Sequence, residues 1–394
     1  MCSRLPTVSA AVLLLVHLAD SDAHAATRSV TTAAALTAAL AEASPGDEIV
    51  LRDGTYQGNF SLAASGTAEH PITLRAEHPL QATFSRSLVE LKGSYGVVRD
   101  FVFERSGVGI TGNFNEVGRS LFREGDPARG RLKAAVWTSG AASHNRIHHN
   151  EVTRWNTFGF RIWQPEAQTT GNRIDHNYIH DYRNGESSNE PEVFQVGSTQ
   201  ASSNVNVATL VEYNLVERVS ITGELLSLKS SGNLVRGNTF IEIHGSVQGR
   251  HGCNNTFLNN TLIGGKTVLR AYGDNHRLIG NRLVGADIIV SPGDITQDAL
   301  RKLDGHGAHP AARNQWVAAN VLEQGGRIVI GEGGRSTFVI PAQNTTVAGN
   351  TGPVITEGAA LRHTGTTLLA AYDGDAGQPV TMTRAQVGPG AADR

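Results

Sequence analysis

Cysteine is nearly absent from this 394-residue chain, which contains only Cys2 and Cys253. Cys2 lies in a segment that has the pattern of a removable export signal, and a lone Cys253 cannot form an internal disulfide. Long apolar runs are also scarce. Beyond the first 25 residues, no segment reaches the roughly 18 continuous apolar residues that a membrane-spanning helix requires. The sequence therefore predicts a soluble mature protein that has no membrane partner and is not stabilised by disulfides.

An excess of charge of either sign is missing too. The 34 Lys and Arg residues are balanced by 36 Asp and Glu residues, which gives a formal net charge of −2. This balance argues against a nucleic-acid partner, so an anionic ligand must be held by a local group of cations. Lysine itself is rare, with five lysines against 29 arginines. A lysine in a strongly patterned segment is therefore a candidate for chemistry that arginine cannot perform, because arginine does not deprotonate.

The first 25 residues are typical of a secretory signal. Arg4 supplies a basic start, residues 8–16 are apolar, and Ala23-His24-Ala25 fits a small-residue cleavage site. We therefore predict a signal peptide over residues 1–25 and export to the periplasm or the medium. The remainder, residues 26–394, shows no linker and is predicted to be one domain.

Short strands and a recurring asparagine unit occupy most of that domain. The unit is roughly Asn-x-apolar-x-x-Asn-x-apolar, as in GNLVRGNTF from Gly232, and its second Asn falls at Asn238, Asn260 and Asn281. Steps of 22 and 21 residues correspond to one coil of a β-solenoid. Alternate strand residues would fill a shared core, while Asn suits left-handed turns and can bond to the coils above and below.

The predicted fold is thus all-β: a single parallel β-helix (β-solenoid) with a short N-terminal capping helix. Residues 31–43 are rich in Ala and Leu and end at Ser44-Pro45-Gly46, so a helix is expected there to cover the first coil. A leucine-rich solenoid lacks its Leu spacing in this chain, whereas a two-sheet sandwich remains an alternative. The tail from about Gln378 is rich in Gly, Ala and Pro and is predicted to be loose.

The densest pattern contains GELLSLKSSG from Gly223 and GRHG from Gly249. Lys229 and Arg250 are 21 residues apart, about one coil, so they should lie side by side on adjacent coils. Glu224 should lie on the same or the neighbouring face. From spacing alone, a lysine on a solvated sheet face is the competing interpretation.

This segment resembles the alginate lyase and chondroitinase B family, polysaccharide lyase family six. The family pattern is a Glu, then Ser-x-Lys-Ser, then Arg-His-Gly 21 residues after the Lys. Glu224, residues 227–230 and residues 250–252 match that pattern, and the likeness spans roughly residues 30–290. It implies a right-handed parallel β-helix that cleaves an acidic polysaccharide by β-elimination.

Carried over to this chain, the resemblance makes Lys229 the base that removes the C5 proton of a uronic acid, and it places Arg250 at the departing C4 oxygen. Cations around the substrate carboxylate would stabilise the developing dianion, and we expect them also to lower the pKa of Lys229. Arginine holds its proton firmly, so Arg250 is interpreted as a charge stabiliser and proton relay. Arg270 matches a substrate-contacting Arg of the family, and His251 either binds substrate or packs beside Arg250.

Calcium is the cofactor that the resemblance implies, held by an Asn and two Glu residues. Asn189 and Glu224 match two of these ligands, but the third position is Thr222. A hard cation usually takes more than one carboxylate, so calcium is only weakly supported. Glu192 or Glu217 would have to replace the missing Glu.

The leading interpretation is an alginate lyase that acts on mannuronate-containing polymer as a monomer. Trp155, Trp163, Arg161 and Arg173 are candidates for lining its groove, although each has a structural explanation as well. A chondroitin or dermatan sulfate lyase is the nearest alternative, disfavoured because no added basic cluster is evident for sulfates. A β-helix glycosidase would need paired carboxylates that do not stand out. A non-catalytic glycan-binding β-helix remains open, because the Glu at position 222 is missing.

Overall fold

The computed structural model describes residues 25–125, 132–182, 192–198, 202–203, 205–300, 302, 308–333, 335–356 and 361–392. The predicted signal peptide, up to residue 24, lies outside the described residues. Most of the described chain consists of short strands that pair in parallel with a strand of the next coil. The architecture is the predicted right-handed parallel β-helix, and the two-sheet sandwich is wrong.

One face of the coils is a 14-stranded parallel sheet, called sheet 1 below. In stack order its strands are Thr27–Val30, Glu48–Leu51, Ile72–Ala76, Gly96–Arg99, Glu116–Gly118, Arg146–His148, Arg173–Asp175, Leu210–Glu212, Leu234–Arg236, Thr256–Leu258, Arg277–Ile279, Trp316–Ala318, Thr346–Ala348 and Thr367–Leu369. The central residue of most of these strands is apolar and buried, because alternate residues point into the coil.

The other faces form a 21-stranded sheet, called sheet 2, to which most coils contribute two strands. The first strands, stack 2a, are Gly54–Tyr56, Ala82–Ser85, Val102–Glu104, Leu121–Arg123, Glu151–Thr153, Tyr178–His180, Leu215–Glu217, Arg282–Val284 and Val321–Glu323. The second strands, stack 2b, are Asn59–Leu62, Leu88–Leu91, Gly107–Ile110, Val136–Gly140, Phe160–Pro165, Phe194–Val196, Ser220–Leu228, Asp287–Val290, Ile328–Ile330 and Val354–Ile355. Two long strands, Thr239–Gly249 and Thr261–Ala271, belong to both stacks.

The predicted capping helix is present at Ala33–Ala41. The Thr32 side chain accepts a hydrogen bond from the Ala35 N–H at 3.1 Å, and Leu36 and Leu40 are buried against the first coils. A short helix at Gln297–Leu300, a 3-10 turn at Arg384–Gln386 and a two-stranded pair, Ala342–Gln343 with His363–Thr364, complete the elements. None of the helices in the described part of the chain is long and apolar enough to cross a membrane.

Buried asparagines link the coils, and their position differs from the predicted one. Asn238, Asn260 and Asn281 do not form the left-handed turns; the preceding residues do, with Gly237 at a φ of 60° and Asn259 at 56°. The three asparagines point inward. Asn260 accepts from the N–H and the side chain of Asn238 at 3.0 Å each. Its own amide donates to the Val235 carbonyl at 2.9 Å and to the Asn281 side chain at 3.0 Å.

The C-terminal tail is packed, so the prediction of a loose tail is wrong. It runs back along the coils: the Val380 N–H donates to the Asn259 carbonyl at 3.0 Å. Met382 and Val387 are buried in a small cluster with Tyr178 and Leu215. Apolar residues spaced along an otherwise polar segment therefore fix the tail against the turns that precede stack 2a.

Replacing Asn260 by Ala should destabilise the fold strongly. The change removes the interior acceptor of the Asn238 N–H and the side-chain donor to the Val235 carbonyl, at about 1–3 kcal/mol for each group left unsatisfied. We expect the apparent free energy of unfolding, measured by denaturant titration followed by circular dichroism, to fall by about 3 kcal/mol or more. Asn59→Ala, at an exposed strand position, is the matched control and should stay within about 0.5 kcal/mol of the parent. Equal stability of the two variants would contradict the structural role of the ladder.

Candidate active site

Lys229 and Arg250 lie on adjacent coils, as their spacing predicts. Lys229 directly follows strand Ser220–Leu228, and Arg250 directly follows Thr239–Gly249. The Arg250 N–H donates to the Leu228 carbonyl at 2.9 Å. Parallel strands stand about 4.8 Å apart, so the two side chains leave neighbouring rungs at the same edge of stack 2b.

Two buried carboxylates complete a cluster around these cations. The Lys229 Nζ lies 2.5 Å from Glu192 Oε1 and 3.6 Å from Glu224 Oε2. Arg250 Nε lies 2.9 Å from Glu224 Oε1, and the Ser227 hydroxyl donates to Glu224 Oε2 at 2.5 Å. The four charged side chains are 12–20% exposed, so their interactions are only weakly screened by solvent.

Burial and charge move the pKa values of the two acids in opposite directions. Burial favours the neutral form of both. At Glu224 the charges of Arg250 and Lys229 and the Ser227 hydrogen bond outweigh burial and lower the pKa to about 2. At Glu192 burial outweighs the attraction of Lys229 and raises the pKa to about 7. Glu224 is therefore the fixed anion of the cluster, and Glu192 is the acid that gains a proton most easily.

The sequence-based expectation for the pKa of Lys229 is wrong for the free protein. We expected neighbouring cations to lower it. Burial does act in that direction, but the negative charges of Glu192 and Glu224 outweigh it, and the pKa of Lys229 is raised. Residues remote in sequence cause this difference, since Glu192 lies 37 positions before the lysine.

The predicted calcium ligands are only partly brought to the cluster. Asn189 lies outside the described residues, and Thr222 lies in strand Ser220–Leu228, two positions before Glu224. The second carboxylate beside Glu224 comes from Glu192. Glu217 is elsewhere, where it accepts a hydrogen bond from the Tyr178 hydroxyl at 2.8 Å.

The residues predicted to bind substrate flank the cluster on the following coil. Arg270 stands in register with Gln248, which is in register with Ser227. Its Nη1 donates to the Tyr272 hydroxyl at 3.0 Å. The guanidinium is thus held one coil beyond Arg250, where it adds a second arginine to this edge.

His251 is buried, and its Nε2 lies 3.0 Å from the Ala308 carbonyl. Burial, with a smaller contribution from the Arg250 charge, lowers its pKa to about 3, so the ring is neutral. This geometry favours packing beside Arg250 over contact with substrate. No spacing in the sequence indicated the neighbouring aromatic group, in which the His309 ring centre lies 5.1 Å from those of both Tyr272 and Phe338.

The four candidate groove residues divide into two pairs. Arg161 and Trp163 lie on stack 2b before the Lys229 coil, and the Lys133 Nζ lies 4.7 Å from the Trp163 ring centre. Trp155 is fully buried, with its Nε1 donating to the Phe158 carbonyl, and therefore belongs to the core.

The fourth candidate, Arg173, lies on sheet 1 and pairs with Glu212 at 2.6 Å. It is therefore remote from the cluster. The sequence could not distinguish these two pairs, because both carry the same residue types.

Comparison with known proteins places this geometry in a family. The model of the chondroitinase B family matches residues 30–287, well over half of the chain. No curated protein sequence matches significantly. Among solved structures, the alginate lyase AlyGC of polysaccharide lyase family six (PL6) has a TM-score of 0.72 and 22% identity. The alignment covers 87% of this chain and 51% of AlyGC, so this chain spans about half the length of that enzyme.

Two other solved structures are covered over nearly their whole length. A mannuronic-acid-specific PL6 lyase from human gut microbiota has a TM-score of 0.71 and 21% identity, over 92% of this chain and 96% of that one. A PL6 polysaccharide lyase from Pseudopedobacter saltans has a TM-score of 0.71 and 17% identity, over 93% and 100%. At such identities the structures establish the shared fold, and the match over residues 30–287 establishes the relationship. This chain belongs to the chondroitinase B family, the polysaccharide lyases of family six.

Proposed function

We propose that this lyase cleaves a uronic-acid polymer, mannuronate-containing alginate, by β-elimination with Lys229 as the base. The observation that carries the proposal is the contact of Lys229 with Glu192, one coil away from Arg250, at the edge of stack 2b. The Lys229 amine, whose pKa the two carboxylates raise in the free protein, lies beside an acid that is itself readily protonated and a guanidinium that stays charged. This combination suits removal of a carbon-bound proton next to a carboxylate.

The reaction would begin with transfer of a proton from the Lys229 ammonium to Glu192, which leaves a neutral amine and a carboxylic acid. The amine then takes the C5 proton of the uronate. The electron pair of the C5–H bond forms the C4=C5 double bond, and the C4–O bond breaks. The departing oxygen takes up the proton that Glu192 had accepted, passed through water at Arg250, so that Glu192 returns to a carboxylate and the guanidinium keeps its own proton.

Negative charge accumulates on the substrate carboxylate during this step, and cations must stabilise it. Arg250 and Arg270 are the candidates, since arginine can bind a carboxylate through two parallel hydrogen bonds. Calcium would supply the same stabilisation when bound. The available ligands fit calcium only in part, because the carboxylates of Glu192 and Glu224 converge but both already contact the Lys229 ammonium. We therefore propose that the arginines suffice.

Alginate is the proposed substrate because two features agree with it. The chain shares its fold with alginate lyases, one of them mannuronic-acid-specific. Two cations, Arg161 on stack 2b and Lys133 just before the strand Val136–Gly140, both face the Trp163 ring, and single cations of this kind suit one carboxylate per sugar. Export to the periplasm or the medium belongs to the same proposal, since the polymer lies outside the cell. Chondroitin or dermatan sulfate is the alternative that a substrate panel distinguishes.

The wild-type protein should release unsaturated product, detected by ultraviolet absorbance, faster from polymannuronate than from polyguluronate, chondroitin sulfate or dermatan sulfate. Lys229→Ala should lose at least about 10²-fold in rate, and Lys229→Arg should be equally impaired because arginine does not deprotonate. Lys266→Ala, an exposed lysine on strand Thr261–Ala271, is the control and should keep full activity. A folded Lys229→Ala protein with normal activity would refute the mechanism, and a wild type silent on every polymer would favour a non-catalytic glycan binder.

Glu192→Gln should lower kcat by about 10²-fold while KM changes little, since the amide cannot accept the Lys229 proton. Glu217→Gln is the matched control and should behave as wild type. Glu217 lies outside the cluster and pairs with Arg218, the two side chains being 3.2 Å apart. Initial rates over a range of substrate concentrations separate kcat from KM. A rise in KM at unchanged kcat would assign Glu192 to substrate binding instead.

Exhaustive chelation should leave most of the activity in place, because Arg250 and Arg270 would stabilise the substrate carboxylate without calcium. The measurement is the rate after chelator treatment in three equal portions: one receives calcium, one receives magnesium and one receives no metal. The magnesium portion controls for general ionic effects. Loss of activity that only calcium reverses would show that a complete ligand set forms despite Thr222.

A further inference from the structure

A polar groove of about 620 Å³ opens on a different face from Lys229. It is lined by Asn254, Thr256, Asn275, Arg277, Asn314 and Trp316. The first strand residues of sheet 1 form its floor on three consecutive coils, and the turns before those strands form its wall. The groove is therefore built from the repeat itself.

The wall is a ladder of exposed asparagines in left-handed turns. The Asn275 amide donates to Asn254 Oδ1 at 3.2 Å, and the Asn314 amide donates to Asn275 Oδ1 at 3.1 Å. The Asn275 amide, in the middle of these three residues, thus uses one N–H and one lone pair within the ladder. The interior asparagines also bond to backbone carbonyls, whereas within the described part of the chain these amides have no such second bond, which leaves one N–H for a ligand hydroxyl.

The floor presents a cation beside an aromatic ring. Arg277 pairs in register with Trp316 on the next strand, and both are exposed, Trp316 to 37%. No carboxylate among the described residues forms an ion pair with Arg277. Tyr372, from the C-terminal tail, supports the Trp316 ring edge-on, with the ring centres 6.2 Å apart. An exposed ring held in this way offers its face to a flat apolar surface.

We propose that this groove is a second binding site for an acidic glycan chain, separate from the cleavage site. Trp316 would stack on a sugar ring, Arg277 would bind a uronate carboxylate, and the Asn254–Asn275–Asn314 amides would bind hydroxyl groups. The ladder repeats about every 4.8 Å along the helix axis, so a chain lying along it meets the same donors on each coil. The ligand class rests on the proposed function, whereas the site rests on the groove alone.

The test measures binding without turnover, in a Lys229→Ala background. Retardation of the native protein is followed by electrophoresis through gels that contain graded concentrations of alginate or of a neutral glucan. Arg277→Ala and Trp316→Ala should each weaken the apparent association with alginate by about tenfold. Arg327→Ala, an arginine that pairs with Asp287 on another face, should leave it unchanged. The neutral glucan should retard none of the proteins.

Turnover assays keep the two proposals apart. In protein that retains Lys229, Arg277→Ala and Trp316→Ala should cleave short uronate oligosaccharides at the normal rate, because Arg277 and Trp316 lie on sheet 1, a different face of the coils from the Lys229 cluster. Equal retardation of the parent and both variants would overturn the second site, and so would absence of any retardation of the parent. Retardation by neutral glucan that Arg277→Ala leaves unchanged would overturn the acidic ligand class. Absence of cleavage of any uronate polymer would instead overturn the proposed function.

Discussion

Buried asparagine amides hold the coils of this protein in register, and the positions of its functional groups follow from that register. Each inward Asn joins its own coil to the coils before and after it through backbone and side-chain bonds. Because strands in such a stack are about 4.8 Å apart, a separation of 21 residues becomes direct contact. Without this interior ladder, a slip of one residue would turn the Lys229 edge away from Arg250.

Burial of the charged Lys229 cluster has an electrostatic cost for the fold. Removing two cations and two acids from water is unfavourable, and their mutual attraction repays that cost only with good geometry. The unequal surroundings resolve the conflict: Glu224 contacts two cations and stays ionised, whereas Lys229 is the one cation that contacts Glu192 among the described residues, and the pKa of Glu192 is raised. A readily protonated acid next to an amine is costly for stability alone, and it is the property that a proton-abstracting site needs.

The two sites proposed for this fold lie on separate faces of one repeat. Stack 2b carries the charged cluster, and sheet 1 carries the polar groove, whose Asn254 lies only four residues beyond Arg250. The C-terminal tail contributes to the second face, because Tyr372 packs against Trp316. A substitution on one face of a coil can therefore leave the other face undisturbed, because the same interior residues stack the coils beneath both faces.

The sequence by itself determined the β-helix, the capping helix and the adjacency of Lys229 to Arg250, because these follow from a local propensity and from a repeat length that converts directly into space. Tertiary structure alone decided what surrounds Lys229. Glu192 comes from the preceding coil, across a longer connection in which residues 183–191 are outside the described residues, so no fixed spacing marks it.

Tertiary structure also decided where residues of the same type lie: Arg161 lines stack 2b, while Arg173 forms its ion pair on sheet 1. The direction of the Lys229 pKa shift was misjudged from the sequence, because it depends in part on Glu192, which is close in space but 37 positions away along the chain.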